Sequence, residues 1–124
     1  MLLDSNLIIY SAKPEHAFLK QFILDSQPYV SWVSRIEVLG FHRLTEEHKQ
    51  YFDEFFNAAA FLPVDWAIVV AATGLRQQRS MTLGDALLAA TALYYDVPLA
   101  TRNVDDFKHI TGLHIVNPFD SSVQ

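Results

Sequence analysis

Three carboxylates and an amide in this sequence occupy places that suggest shared chemistry. Asp4 lies in Leu2-Leu3-Asp4-Ser5-Asn6, Glu37 in Ser34-Arg35-Ile36-Glu37, Asp85 in Thr82-Leu83-Gly84-Asp85, and Asn103 in Thr101-Arg102-Asn103-Val104-Asp105-Asp106. Each has a plain structural reading. Asp4 and Asn103 suit helix N-caps. Ser34-x-x-Glu37 spells a capping box, and Thr82-x-x-Asp85 is box-like. Asp105 and Asp106 suit a first helical turn, where an acid gains about a few tenths of a kcal/mol. Taken together, the acids read differently. Two carboxylates about 5 Å apart repel by about 3 kcal/mol at an effective dielectric near 20. A cluster of Asp4, Glu37 and Asp85 therefore needs a cation between them or partial protonation. Oxygen-only ligation selects Mg²⁺ or Mn²⁺, with Asn103 and Asp106 as further oxygen donors. Such an ion suits hydrolysis of a phosphodiester, because it orients a water, lowers its pKa and absorbs charge on the leaving oxygen.

These residues act together only if the fold gathers them. Short apolar runs alternate with segments of helical period. Strands are expected at Leu2–Asp4, Tyr29–Ser31, Phe61–Val64, Pro98–Thr101 and Leu113–Val116. Helices are expected at about Ala17–Leu24, from Ser34 to His42, from Thr45 through Phe56, at Ala67–Gln78, at Thr82–Tyr95 and, briefly, at Val104–His109. Strands separated by helices imply a small, mostly parallel sheet of four or five strands, sandwiched by helices, in an α/β fold. Strand order is not legible at this point. In open α/β sheets, sites form beyond the carboxyl ends of the strands. Asp4, Glu37, Asp85 and Asn103 all fall beside such ends.

Composition narrows the field further. The chain has 124 residues, 51% hydrophobic and 19% charged, which suits one folded domain over residues 1–124 with its own core. Cysteine is absent, so disulfide scaffolds, Cys-zinc sites and thiol catalysis are excluded. His16, His42, His48, His109 and His114 show no paired spacing for zinc. Nine Lys+Arg against 14 Asp+Glu give a formal charge of −5, which argues against a sequence-blind basic coat. No basic segment precedes the apolar start, and Pro63 and Asp65 break the most apolar window. A soluble cytoplasmic domain without a membrane span is the expectation. The aromatic and aliphatic residues near Phe18–Leu24 and Phe52–Phe61 exceed what one small sheet needs, which suggests a homodimer and a helical partner.

Four blocks in order make a resemblance specific. Leu2-Leu3-Asp4-Ser5-Asn6, Ser34-Arg35-Ile36-Glu37-Val38-Leu39-Gly40, Leu83-Gly84-Asp85-Ala86-Leu87-Leu88-Ala89-Ala90-Thr91-Ala92 and Ala100-Thr101-Arg102-Asn103-Val104-Asp105-Asp106-Phe107 span nearly the whole chain. In these blocks the chain resembles the PIN-domain ribonucleases, in particular the VapC-type toxins of type II toxin–antitoxin systems. The resemblance implies a metal-dependent endoribonuclease with Mg²⁺ or Mn²⁺, an RNA substrate and a small antitoxin as partner. It maps the family's core acids onto Asp4, Glu37 and Asp85. Its fourth position, often Asp, falls on Asn103, with Asp106 the nearest acid able to compensate. Ser5 replaces the family's usual Thr and keeps the hydroxyl; Ser5, Asn6 and Thr101 take supporting places. Arg35, Arg76, Arg79 and Arg102 flank the acidic blocks and are candidates for RNA phosphates.

Other functions of small α/β domains fit the sequence less well. A phospho-accepting receiver needs a late-strand Lys, and the late strand here runs into Thr101-Arg102-Asn103. An Asp-x-Asp phosphatase fails because residue 6 is Asn. A catalytically silent PIN-fold module that binds RNA or acts as a scaffold is the alternative, supported by Asn103 alone.

Overall fold

The computed structural model describes residues 1–120. Five strands of two residues each, Leu2–Leu3 (β1), Tyr29–Val30 (β2), Ala60–Phe61 (β3), Leu99–Ala100 (β4) and Ile115–Val116 (β5), form one sheet in the order β3-β2-β1-β4-β5. Every pairing is parallel. Leu2 stands opposite both Tyr29 and Leu99, Val30 opposite Phe61, and Ala100 opposite Val116. The small parallel sheet is thus as expected. Its order adds one consequence. From β1 the chain first builds outward through β2 and β3, then returns to the other side of β1 with β4. The switch point lies between β1 and β4, and a crevice opens there at the carboxyl ends.

Six helices cover the sheet: Ser5–Ser11 (α1), Phe18–Ser26 (α2), Trp32–Leu39 (α3), Glu46–Ala58 (α4), Trp66–Gln78 (α5) and Leu83–Tyr95 (α6). Side chains of a strand alternate between faces, and β1 shows it. Leu3 packs with Leu7, Ile8, Leu19, Val30, Val38, Phe52 and Phe56 on one face. Leu2 packs with Leu88, Ala89, Ala92, Leu99 and Phe107 on the other. Leu2 and Leu3 are wholly buried, each contributing about 1.5–3 kcal/mol. α6 is apolar nearly all round because it lies between the sheet and α5, where Ala86 and Ala90 meet Ile68 and Ala72.

Several boundaries move from their expected places. The third helix starts at Trp32, not Ser34, because Ser31 takes the cap and its hydroxyl accepts from the Val33 amide. Ser34 is therefore buried inside α3, and its capping box with Glu37 does not form. α1 has no counterpart among the expected helices; Leu7-Ile8-Ile9-Tyr10 is strand-like in composition, yet burial of Leu7, Ile8 and Ser11 makes it helical. The third strand is Ala60–Phe61 rather than Phe61–Val64, and the last helical segment is a 3-10 turn, Val104–Asp106. Phe52 and Phe56 are buried, so α4 spends half its aromatic excess in the core. Phe18 and Leu24 stay exposed. No helix among the described residues is long and apolar enough to cross a membrane.

Candidate active site

β1 and β4 hold the first residue of the site. The Asp4 amide donates to the Ala100 carbonyl at 2.9 Å, which fixes the end of β1 against β4. Asp4 is 4% exposed, and its Oδ2 accepts from the Thr101 hydroxyl at 2.7 Å. Thr101 is fully buried and its Oγ1 in turn accepts from the Asn103 amide at 3.0 Å. Asp4 occupies the cap position of α1 without a side-chain cap hydrogen bond of good geometry. Burial pushes its carboxyl pKa up, as does the Glu37 charge, against the downward pull of Thr101 and the Ser5 and Asn6 amides.

Glu37 reaches the same edge from α3. Ser34 and Glu37 are three residues apart and share a helix face. Ser5 Oγ, at the start of α1, lies 2.8 Å from Glu37 Oε1 and 2.9 Å from Ser34 Oγ. A carboxylate only accepts, so the single Ser5 proton goes to Glu37 and the Ser34 hydroxyl donates to Ser5. Against the other side of Glu37 stands Gly84, in the first turn of α6. A Cβ there would lie 2.9 Å from Glu37 Oε2 and 3.1 Å from Oε1.

Asp85 follows directly. Thr82 caps α6, its hydroxyl accepting from the Asp85 amide at 3.1 Å, so the box-like reading of Thr82 is correct as far as it goes. The Asp85 side chain does something else. Its pKa is raised to about 6, first by burial and then by the charges of Asp4, Asp106 and Glu37. Asp85 thus sits within the fields of Asp4, Asp106 and Glu37, and Asp4 within that of Glu37. Asp105 turns away and pairs with Lys108 at 2.9 Å.

Two polar pockets meet at Asp106. One, of about 310 Å³, is lined by Arg79, Ser80, Met81, Thr82, Asp85 and Asp106. The other, of about 320 Å³, is lined by Arg102, Asn103, Val104, Asp105, Asp106 and Asn117. Asp106 thus joins the Asp85 side of the site to Asn103, and Arg79 and Arg102 stand at its flanks. The Arg102 guanidinium lies over the Phe119 ring at 4.1 Å. Arg76 is engaged elsewhere, its Nε donating to the Met81 carbonyl, and Arg35 is exposed on α3 and lines neither pocket. Sequence reasoning missed Ser34 and Gly84 as neighbours of Glu37. The i, i+3 spacing of Ser34 and Glu37 was the available signal; nothing local in the sequence announces the contact of Gly84 with α3.

The donor set fits a divalent cation. Asp4, Glu37 and Asp85 offer only hard oxygens, and among the described residues no ion pair involves them. Their mutual repulsion leaves them short of positive charge. No three acidic or imidazole side chains among the described residues form a ready-made cage.

Comparison with known proteins bears on family and fold. Residues 1–113 match the PIN domain family. The chain is 30% identical to Ribonuclease VapC1 of Rickettsia felis over 94% of both chains. A toxin–antitoxin complex from Klebsiella pneumoniae has a chain of similar fold, with a TM-score of 0.78 and 26% identity, covering 96% of this chain and 98% of that one. VapBC2 from Rickettsia felis, solved bound to a DNA fragment from the promoter, aligns with a TM-score of 0.81 at 17% identity, over 94% and 96% of the two chains. With a parallel β3-β2-β1-β4-β5 sheet, and with this family match across most of its length, the chain belongs to the PIN-domain family.

Proposed function

We propose that this protein is a metal-dependent endoribonuclease, working in the cytoplasm as the toxin of a toxin–antitoxin pair. The observation that carries the reading is the approach of Asp4 on β1, Glu37 on α3 and Asp85 on α6 to one edge of the sheet, where the Glu37 carboxylate lies against Gly84 and the charges of Asp4, Asp106 and Glu37 act on Asp85. Asp4, Glu37 and Asp85 would hold Mg²⁺ or Mn²⁺, with Asn103 and Asp106 as further donors. Bound there, the ion would supply an activated water and charge neutralisation for phosphodiester hydrolysis. Thr101 holds Asp4 in one orientation, and Ser5 does the same for Glu37. Asn6 places its amide toward Asp4. Arg79 and Arg102 are set to take RNA phosphates on either side of the cleft, with Arg35 and Arg76 as outlying contacts.

Two surfaces support partners. An apolar groove of about 300 Å³, lined by Ile9, Ala12, Val38, Phe41, Leu44 and Phe52 with Lys13 and Arg43 alongside, suits an amphipathic antitoxin segment. Exposed Trp66 and Val70 on α5, with Leu83 and Tyr94 on α6, suit a homodimer. The test is cleavage of RNA by the purified chain with and without Mg²⁺. The expected result is cleavage with the ion and none in chelator; cleavage that survives exhaustive chelation refutes the reading. Should the chain bind RNA but cut nothing with either ion, the silent-module alternative takes over.

A further inference from the structure

We propose that Gly84 is a positioning residue: the space left by its missing side chain is the seat of the Glu37 carboxylate. The inference rests on the reading of Glu37 as a metal ligand.

Glycine is the poorest helix former after proline, yet Gly84 occupies the first turn of α6. Its own backbone does not require it, because Gly112 is the only glycine with a positive φ. The requirement comes from across the site. The three atoms nearest to an added Cβ all belong to the Glu37 carboxylate: Oε2 at 2.9 Å, Oε1 at 3.1 Å and Cδ at 3.2 Å. On its other side, Oε1 is 2.8 Å from Ser5 Oγ. The carboxylate is thus gripped between a hydroxyl of α1 and the bare Cα of α6. A methyl group at residue 84 would meet the Glu37 carboxylate before any other atom outside its own stretch of helix. It would push the end of a flexible side chain off its hydroxyl and away from its place beside Asp85. Backbone conformation and packing therefore permit alanine, while the site does not.

The test is Mn²⁺ binding to the full chain, measured by calorimetry in five proteins: the parent, Gly84→Ala, Glu37→Asp, the double variant of these two, and Glu37→Gln. Gly84→Ala should weaken Mn²⁺ binding about tenfold and leave the metal-free melting temperature unlowered. With the carboxylate drawn back by one methylene in Glu37→Asp, the added methyl should have little left to displace. Its further effect there should be less than about twofold, a non-additivity expected only of groups in contact. Unchanged Mn²⁺ binding in Gly84→Ala would overturn the proposal, as would an equal loss in both backgrounds. A melting temperature lowered by several degrees would make Gly84 a packing residue and overturn it too. Glu37→Gln separates this failure from a deeper one. If that variant binds Mn²⁺ like the parent, Glu37 is no ligand and both readings fall. If it binds weakly while Gly84→Ala binds normally, only the proposal for Gly84 falls.

Discussion

At Asp85, burial and the carboxylates of Asp4, Asp106 and Glu37 raise the pKa from 3.8 to about 6. The sign of the linkage follows. A folded-state pKa above the unfolded one means that the native state holds the proton more tightly. Asp85 therefore contributes most stability below about pH 4 and loses it as pH rises through 6. A shift of this size corresponds to about 3 kcal/mol, which partial exposure reduces to about 1–2 kcal/mol. Asp85→Asn, metal-free, should then be about 1–2 kcal/mol more stable than the parent at pH 7.5 and nearly equal to it at pH 4. Urea unfolding in chelator at the two pH values measures this. RNA cleavage should fall at least ~100-fold, through lost ion binding and a misplaced water. A variant that is destabilised and fully active would return Asp85 to a mere helix-start acid. Thr101→Val makes the complementary prediction. It removes the buried donor to Asp4 and strands the Asn103 amide, so stability should drop by about 1–3 kcal/mol at neutral pH. The loss should shrink in acid, where Asp4 no longer carries charge.

How far the elements were legible depends on what decided each one. α6 declared itself through its alanines and leucines and a Thr82 cap that does form. β1 and β4 were legible in place, each ending one residue before the Asp4 and Thr101 expected to close it. α3 did not, because Ser31 and Ser34 both spell caps and only the end of β2 at Val30 decides between them. The acids were legible as types beside strand ends, but their convergence was not. It depends on strand order, which no local pattern encodes, and on Gly84 meeting α3 from a helix 47 residues along the chain from Glu37. The cap assignment is open to measurement. Ser31→Ala should cost about 1 kcal/mol as a lost N-cap. Ser34→Ala loses one hydrogen bond but gains helix propensity, and should cost less. The reverse order in urea unfolding would restore Ser34 as the cap.

For the molecule as a whole, a charge of −5 sets the terms on which RNA is approached. Without a divalent ion the acidic crevice repels a phosphate chain, and Arg79 and Arg102 only flank it. Binding of a labelled RNA should therefore weaken at least ~10-fold in chelator. With about two to four phosphate contacts, its log–log salt slope should lie near −1.5 to −3. A slope far steeper than this would reveal a basic surface other than the two arginines. The same global view gives meaning to a distance in sequence. The hydroxyl that steadies Asp4 belongs to Thr101, 97 residues later, and β4 that carries it is the strand laid directly beside β1. A ribosome adding roughly 5–20 residues per second makes the chain up to Thr101 in about 5–20 s. Throughout that interval Asp4 has β2 on one side but neither β4 on the other nor its hydrogen bond to Thr101. The nascent chain therefore holds β1 and β2 long before Asp4 is settled, and this carboxylate takes its final orientation only when β4 is laid beside β1.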